Sequence, residues 1–224
     1  MTVTSTNSAD LPAPRFLDKP LTPLIIEPVM LEGQYVRLEP LTLAHHAALC
    51  SVALDEALWR WIPTPVTTAD ELRQYIDLAL RLQSDGTALP FVTISKADNR
   101  VAGSSRYLNI DKSNRHLEIG STFVGKAWQR TQINTEAKYL MLRHAFEQLG
   151  CIRVEFKTDS LNERSQKALA RIGAVREGIF RNHMLCSNGR IRHSVYFSIT
   201  DSEWPTVRRE LEAKLARPFV PTAR

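Results

Sequence analysis

A strand, a polar loop and the start of a helix follow one another between Leu117 and Gly150, and this order can bind an anion. A helix that begins in a loop presents backbone N–H groups without partners, and its dipole adds roughly half a positive charge there. A phosphate or pyrophosphate is the natural ligand of such an end. Every helix has such an end, however, and most are capped by their own side chains. The pattern therefore predicts either an anion site or an ordinary capped helix.

The residues on both sides of this loop support the two elements. Residues 118–124 mix β-branched and aromatic side chains over the length of a strand. Asn134 and Thr135 are suitable N-cap residues, and Gly150 suits the position just beyond the last helical turn. Between them, apolar side chains recur at helical spacing, at Ala137, Leu140, Met141, Ala145 and Leu149. We therefore expect a helix that is capped at Asn134 or Thr135 and ends before Gly150.

The other predicted elements have to position this loop. Helices are predicted from Leu43, from the capping-box spacing of Thr68 and Glu71, from Asn162 and from Asp201. Strands are predicted over residues 35–41, 91–95, 101–110, 116–124, 151–158, 175–185 and 191–199. Their order predicts an α+β fold with a mixed, mostly antiparallel central sheet that is flanked by helices.

The composition predicts a single domain without a metal or membrane segment. The 224 residues, 43% of them hydrophobic, suffice for one well-buried core. The net charge of +5 attracts anions, but Lys and Arg are dispersed, so solubility explains the charge better than nucleic-acid binding. Cys50, Cys151 and Cys186 show neither disulfide nor metal-ligand spacing, and the six histidines are scattered. We expect reduced thiols, a cytoplasmic location, no metal ion and no membrane association.

Two tails are expected to flank this domain. Residues 1–28 are rich in Ser, Thr and Pro, and their prolines interrupt any regular element. The predicted organisation is therefore an N-terminal tail over residues 1–28, a single domain over 29–217 and a C-terminal tail over 218–224.

Three motifs stand in a characteristic order along the chain. They are Leu117-Glu-Ile-Gly120, then Trp128-Gln-Arg-Thr-Gln-Ile-Asn-Thr-Glu-Ala-Lys138, then Asn162-Glu-Arg-Ser165 leading to Arg171-Ile-Gly-Ala174. Together they resemble the GCN5-related N-acetyltransferase (GNAT) superfamily, and within it the branch related to the RimJ and RimL enzymes. The resemblance covers roughly residues 31–210. It implies the GNAT fold, with splayed parallel strands at the cofactor site, and transfer of acetyl from acetyl-CoA to a primary amine by direct attack in a ternary complex.

In this family the loop before the central helix binds the pyrophosphate of acetyl-CoA through backbone amides. The family pattern has Gly where Gln132 stands, and Gly or Ala where Asn134 stands. If the backbone at Gln132 has positive φ, its side chain costs about 1–2 kcal/mol, which several charge-assisted hydrogen bonds of about 1.5–3 kcal/mol each would exceed. The resemblance assigns cofactor contacts to Phe123, Val124, Gln129, Arg130, Thr131, Gln132, Ile133, Asn134, Thr135 and Asn162.

The resemblance also implies two catalytic residues, Glu118 and Ser165. Glu118 stands where relatives direct a carboxylate toward the amine, in some cases through water. Many relatives use a tyrosine to protonate the departing thiolate, and Leu169 occupies the position of that tyrosine here. In the RimL-like branch a serine three residues after the Asn can take over this role, and Ser165 stands at that position. Each residue also has a structural explanation: Glu118 as a hydrogen-bonded carboxylate of the sheet, and Asn162 with Ser165 as a helix cap.

The acceptor of the acetyl group is expected to be a small-molecule amine or a protein N-terminus. Trp59, Trp61, Phe91 and Tyr107 are expected to line its pocket, although aromatic residues are equally typical of a core. Nucleic acid would be contacted only indirectly, through the ribosome, and a homodimer through the C-terminal strands is common among relatives. The alternative is a catalytically weak relative that keeps the fold as a CoA-binding or protein-interaction module.

Overall fold

The computed structural model describes residues 15–16 and 23–217. The predicted tail over 218–224, and most of the one over 1–28, lie outside the described residues. The strands are β1 (Leu31–Glu32), β2 (Val36–Pro40), β3 (Leu89–Ser95), β4 (Arg100–Asp111), β5 (His116–Val124), β6 (Arg153–Asp159), β7 (Val175–Leu185) and β8 (Ile191–Thr200). The α-helices are α1 (His46–Ala53), α2 (Ala69–Ser84), α3 (Gln132–Arg143), α4 (Glu163–Arg171) and α5 (Trp204–Leu215).

All eight strands form one sheet in the order β1-β2-β3-β4-β5-β6-β8-β7. Neighbouring strands are antiparallel except for β5 and β6, which are parallel. The predicted α+β class and mixed sheet are confirmed, and only the short β1 was not predicted. The capping box that starts α2 is also confirmed, because Thr68 Oγ1 accepts from the amide of Glu71 and the Glu71 carboxylate accepts from the amide of Thr68.

The parallel strands β5 and β6 separate after a short paired stretch. Their register extends only from His116 opposite Arg153 to Glu118 opposite Glu155. Beyond these residues β5 stays with β4, whereas β6 pairs with β8 along its whole length. A gap therefore opens between the two strands, as expected of a splayed pair.

Helices cover the sheet on both faces. Leu117 and Leu140 belong to a core between the sheet, α3 and α5, and Leu24 from the predicted tail is buried in it as well. Ile76 and Phe123 belong to a second core beneath α1 and α2. No helix in the described part of the chain is long and apolar enough to cross a membrane.

Candidate functional site

The loop from β5 to α3 ends in a helix cap at Thr131. Its Oγ1 accepts a hydrogen bond from the amide of Ile133 at 3.2 Å and donates one to the carbonyl of Trp128 at 2.7 Å. The helix therefore begins at Gln132, and the expected cap at Asn134 or Thr135 is wrong. Thr is itself a good N-cap residue, and its second bond to the loop selects the earlier start.

The expected strain at Gln132 does not arise. Gln132 is the first helical residue, whereas the left-handed backbone of this loop lies at Arg130, with φ of 61°. The cost of about 1–2 kcal/mol for a side chain in that conformation therefore falls on Arg130. The amide of the Gln132 side chain faces the end of α5, where its Nε2 lies 3.2 Å from the carbonyl oxygen of Arg217. The Gln132 side chain is thus held away from the amides at the start of α3.

The start of α3 keeps backbone donors available. The amides of Gln132 and Asn134 receive no side-chain cap from the described residues, while that of Ile133 is capped by Thr131. The first amides of a helix have no partner within the helix. An anion can therefore be bound here by two backbone N–H groups and the helix dipole.

Glu136, one turn beyond the start of α3, does not present an exposed negative charge that would repel an anion. Its buried carboxylate accepts hydrogen bonds from the backbone N–H groups of Gln34, Tyr35 and Val36, at 2.8, 2.5 and 2.7 Å. The absence of a side chain at Gly33 leaves room for it, because a Cβ there would lie 2.4 Å from the carboxyl carbon. Glu136 therefore ties α3 to the turn between β1 and β2.

Two of the predicted cofactor residues use their side chains to hold the walls of the gap together. Gln129 donates from Nε2 to the carbonyl of Val124 and accepts at Oε1 from Arg164 on α4, both at 2.8 Å. The hydroxyl of Thr135 accepts from Arg171 Nη2 at 2.6 Å. Both bonds to arginine join the start of α3 or its loop to α4, across the opening between β5 and β6.

Helix α4 begins at the other wall of the gap. Asn162 is its N-cap, with Oδ1 accepting from the amide of Ser165 at 3.0 Å. The capping explanation therefore holds for Asn162 Oδ1. The Ser165 hydroxyl forms no hydrogen bond within the described residues, and Leu169 is buried in the core. Ser165 Oγ is thus the hydroxyl of α4 that remains available for chemistry.

Glu118 lies where β5 and β6 begin to separate and is only 3% exposed. Its Oε2 accepts from Asn109 Nδ2 at 2.8 Å and lies 3.4 Å from Lys157 Nζ. Its Oε1 forms no hydrogen bond within the described residues. This oxygen occupies the space that a side chain at position 120 would need, 2.9 Å from the Cβ that Gly120 lacks. Glu118 thus combines a fixed oxygen with one that can accept a proton.

Two side chains that interact with Glu118, His183 on β7 and Tyr196 on β8, stay uncharged near neutral pH. Burial, together with the charges of Lys157 and Arg192, lowers the pKa of His183 below its ordinary value of 6.5. Burial raises the pKa of Tyr196 above 10, and Glu118 contributes to this increase. The carboxylate is therefore flanked by a neutral imidazole and a phenol.

A β-bulge in β5 adjoins the gap. Ser104 of β4 pairs with Phe123 of β5, and Arg106 pairs with Gly120, so β5 contains one extra residue in this interval. Within the bulge, Ser121 has φ of 47°. The OH group of Tyr75, on α2, donates to the carbonyl of Ser121 at 3.2 Å. This contact holds the bulge from the face covered by α2.

Lys138 of α3 holds the same bulge from the opposite face. Its Nζ is buried and donates to Thr122 Oγ1 at 2.7 Å and to Ser105 Oγ at 3.1 Å, and these two hydroxyls lie 2.7 Å apart. Burial lowers the pKa of Lys138 from 10.5 to about 7, against the opposing effect of Glu118. The bulge immediately precedes the backbone of Phe123 in β5.

The four aromatic residues expected at the acceptor pocket do not act together. Phe91 and Tyr107 are fully buried, and the Tyr107 OH donates to the carbonyl of Met141 at 2.7 Å. The expectation that they line a pocket is wrong, because their strand positions face the core beneath α3. Trp59 is also largely buried, in the second core, and its indole N–H donates to the carbonyl of Ala53 at 2.6 Å. Those three rings therefore serve mainly as packing.

Trp61 is half-buried and lies near a cavity of about 330 Å³. Two guanidinium groups lie over its ring, those of Arg60 at 4.9 Å and Arg190 at 5.7 Å from the centroid. The cavity lies between residues 56–67 and the turn from β7 to β8; its lining includes Trp59, Arg60, Pro63, Cys186, Asn188 and Arg190. Nothing in the sequence indicated that the residues between β7 and β8 line a cavity.

Arg106 is a buried cation that sequence reasoning missed. It is 4% exposed, and its Cζ lies 4.5 Å from the centroid of the Tyr75 ring. Its Nε and Nη2 have no hydrogen-bond partner among the described residues. The available signal was an Arg within an otherwise small and apolar strand, Val101 to Tyr107. A cation–π contact of about 0.5–2 kcal/mol offsets only part of the cost of burying an unpaired guanidinium, which is several kcal/mol.

Comparison with known proteins agrees with this architecture. The family model "Acetyltransferase (GNAT) domain" matches residues 36–175. The "Uncharacterized N-acetyltransferase p20" of Bacillus licheniformis is 26% identical over 175 residues, which are 78% of this chain and 97% of that protein. A crystal structure of a GCN5-related N-acetyltransferase from Brucella melitensis is 36% identical, with a TM-score of 0.80 over 88% of this chain and 90% of the other.

A more distant structure shares the fold. Mycobacterium smegmatis RimJ in complex with CoA-disulfide is 23% identical, with a TM-score of 0.70 over 80% of this chain and 88% of the other. Within the described residues, no three His, Cys, Asp or Glu side chains are grouped so that they could hold a metal ion.

Proposed function

The chain belongs to the acetyltransferase (GNAT) domain family and is an acetyltransferase, and we propose that it transfers acetyl from acetyl-CoA to a primary amine. The observation that carries this proposal is the continuity of the gap between β5 and β6 with the uncapped amides that begin α3. An extended ligand with a pyrophosphate fits such a gap. Acetyl-CoA supplies an acetyl group as a thioester, and all other tasks fall to residues of this chain.

The first task is to hold the cofactor. The amides of Gln132 and Asn134 are proposed to bind the pyrophosphate, with Arg130 adding charge from the loop. Asn162 keeps its Nδ2 free for the pantetheine arm, because only its Oδ1 is used in capping. Backbone amides at Phe123 and Val124, after the bulge, are proposed to polarise the thioester carbonyl as preorganised donors.

The second task is proton transfer. Oε1 of Glu118 is proposed to take the proton of the attacking amine, directly or through water. An α-amine with a pKa near 7.8 is about a quarter neutral near pH 7.4, so it needs less help from a base than a lysine does. Ser165 Oγ is proposed to protonate the departing thiolate from α4.

Direct attack by the amine is supported by the state of a cysteine near the core. Burial raises the pKa of the Cys151 thiol to about 12, so it is protonated near neutral pH and cannot act as a thiolate nucleophile. An acyl-enzyme route through this residue is therefore disfavoured, and a ternary complex is the simpler course.

The acceptor is proposed to enter from the side of the cavity beneath residues 56–67. The turn from β7 to β8 lines that cavity with Arg190, whose guanidinium lies over the ring of Trp61. The acceptor is proposed to be a small-molecule amine or a protein N-terminus. We also propose a homodimer through β7, because this strand is the edge of the sheet and exposes Ile179, Phe180 and Leu185.

The cofactor proposal can be tested by removing a single N–H group. Pro is favoured at the first position of a helix, and the extended backbone of Thr131 (φ −106°, ψ −173°) is compatible with a following Pro. Gln132→Pro should therefore preserve α3 while removing one proposed pyrophosphate donor. Calorimetry should show acetyl-CoA binding weakened by about 10- to 100-fold, the effect of one charge-assisted hydrogen bond.

Two controls isolate that N–H group. Gln132→Ala removes the side chain alone, and Ala69→Pro makes the same backbone change at the first residue of α2. Both should bind acetyl-CoA like the wild type. Equal binding by Gln132→Pro would contradict the assignment of the pyrophosphate to this helix end. Wild-type protein that binds acetyl-CoA without releasing thiol with any amine would favour the alternative, a CoA-binding module.

A further inference from the structure

The unpaired guanidinium of Arg106 lies on the face of the sheet that carries Glu118. Arg106 is directly opposite Gly120 in the register of β4 and β5, and Leu108 is opposite Glu118. Cross-strand neighbours and alternate residues share a face, so Arg106 and Glu118 point to the same side. As diagonal neighbours, their Cα atoms are about 7–8 Å apart.

No acidic side chain among the described residues pairs with Arg106. Glu118, on the same face of the sheet, already has an ion pair with Lys157 and a hydrogen bond from Asn109. The guanidinium stacks on the ring of Tyr75, on α2, but the ring offers no hydrogen-bond acceptor to the N–H groups that point outward in the guanidinium plane. The buried charge of Arg106 thus lacks an anion from either element packed against it.

The two nitrogens without partners define the kind of anion. Nε and Nη2 form one edge of the guanidinium, with two parallel N–H bonds. This edge matches the two oxygens of a carboxylate in a planar, bidentate arrangement. The stacking on Tyr75 fixes the plane in which such a carboxylate would lie.

We propose that Arg106 binds a carboxylate of the acceptor, so that the preferred acceptor is an amine that carries a carboxylate a few bonds away, as a free amino acid does. This inference rests on the proposed acetyl transfer to an amine. The amine is presented to Oε1 of Glu118 while the carboxylate meets Nε and Nη2 of Arg106.

The test compares each acid with its own amide. Amino acids and the corresponding amino acid carboxamides present the same α-amino group, and only the acids carry the carboxylate. We expect the wild type to acetylate the acids with a kcat/KM about 10- to 100-fold higher, the effect of one or two charge-assisted hydrogen bonds. This ratio is measured on the wild type, so it does not depend on any variant folding.

Variants assign the preference to Arg106. Arg106→Gln should remove the preference, so that the ratio of kcat/KM for each acid to that for its amide falls to about one. Arg106→Lys keeps a charge without the bidentate edge and should give an intermediate ratio. Arg73→Gln, on the exposed side of α2, is the control and should leave the ratio unchanged.

Four results would overturn the inference. Equal rates for acids and amides in the wild type would exclude a carboxylate site, as would a ratio that Arg106→Gln leaves intact. Acetylation restricted to amines without a carboxylate would exclude the substrate class but retain the proposed function. Failure to acetylate any amine, with or without a carboxylate, would overturn both.

Discussion

Replacement of Lys138 by Met should change the stability of the protein in opposite directions at low and high pH. The ammonium group of Lys138 is buried beneath the β5 bulge, where it donates to Ser105 and Thr122. Methionine has a similar length but no charge. The substitution removes a desolvation penalty and two hydrogen bonds, and these two effects depend differently on pH.

The penalty follows from the pKa of Lys138. Burial lowers this pKa from 10.5 to about 7, a difference of 10.5 − 7 = 3.5 units, which corresponds to about 5 kcal/mol. Below about pH 7 both folded and unfolded chains hold the proton, so the folded wild type carries the full penalty. Between about pH 7 and 10.5 the unfolded chain binds more protons than the folded chain, so wild-type stability rises with pH.

The expected net effect of Lys138→Met combines this penalty with the lost bonds. Two hydrogen bonds contribute about 1 kcal/mol each. Near pH 6 the variant should therefore be about 3 kcal/mol more stable than the wild type. Near pH 9.5 only about 1 kcal/mol of penalty remains, so the loss of the two hydrogen bonds should make the variant about 1 kcal/mol less stable than the wild type.

Urea denaturation at the two pH values measures this change of sign. Lys167→Met is the control, because Lys167 is 81% exposed on α4, and its effect should be small and nearly independent of pH. A Lys138→Met variant that is destabilised by the same amount at both pH values would refute the reasoning. The ammonium group would then contribute only through its hydrogen bonds.

Three further substitutions test other contacts. Glu136→Gln should destabilise the fold by about 3 kcal/mol in denaturant titrations, because an amide NH₂ would face backbone N–H donors in place of a carboxylate oxygen. Gly120→Ala should lower kcat about tenfold or more, because the new Cβ would lie 2.9 Å from Glu118 Oε1 and force that oxygen to move. Gly178→Ala is the control and should leave kcat unchanged, because no atom lies within 4 Å of the Cβ that it adds. Ser165→Ala should reduce thiol release about 100-fold without changing acetyl-CoA affinity in calorimetry, and an unchanged rate would exclude Ser165 as the proton donor.

Periodicity predicted the central helix but not its first residue. Thr131, Asn134 and Thr135 are all good N-cap residues, so local preference could not select one of them. The choice depends on the bond from the Thr131 hydroxyl to the carbonyl of Trp128, which exists only once the preceding loop has turned. The end of the helical run was better defined, because α3 continues as a π-helical turn over His144–Gln148, and Gly150, with φ of 65°, follows it.

Alternation predicted the strands but not what covers each face. The pattern of β3 and β4 could not show that Phe91 and Tyr107 face the core beneath α3 while Arg106 faces α2. Both faces of these strands are buried, so hydrophobicity does not distinguish them. The bulge in β5 was equally invisible, because the positive φ falls on Ser121 and not on a glycine.

The departures from the family pattern are tolerated because the proposed cofactor contacts are made by backbone groups. Gln132 replaces a glycine without strain, since it is helical and its side chain reaches toward the end of α5. What the backbone donors require instead is a fixed position of α3 relative to the sheet. Glu136 and Lys138, buried two residues apart on that helix, hold it to the β1–β2 turn and to the β5 bulge. The same helix thus positions its own N-terminus and, through the bulge, the amides proposed to polarise the thioester.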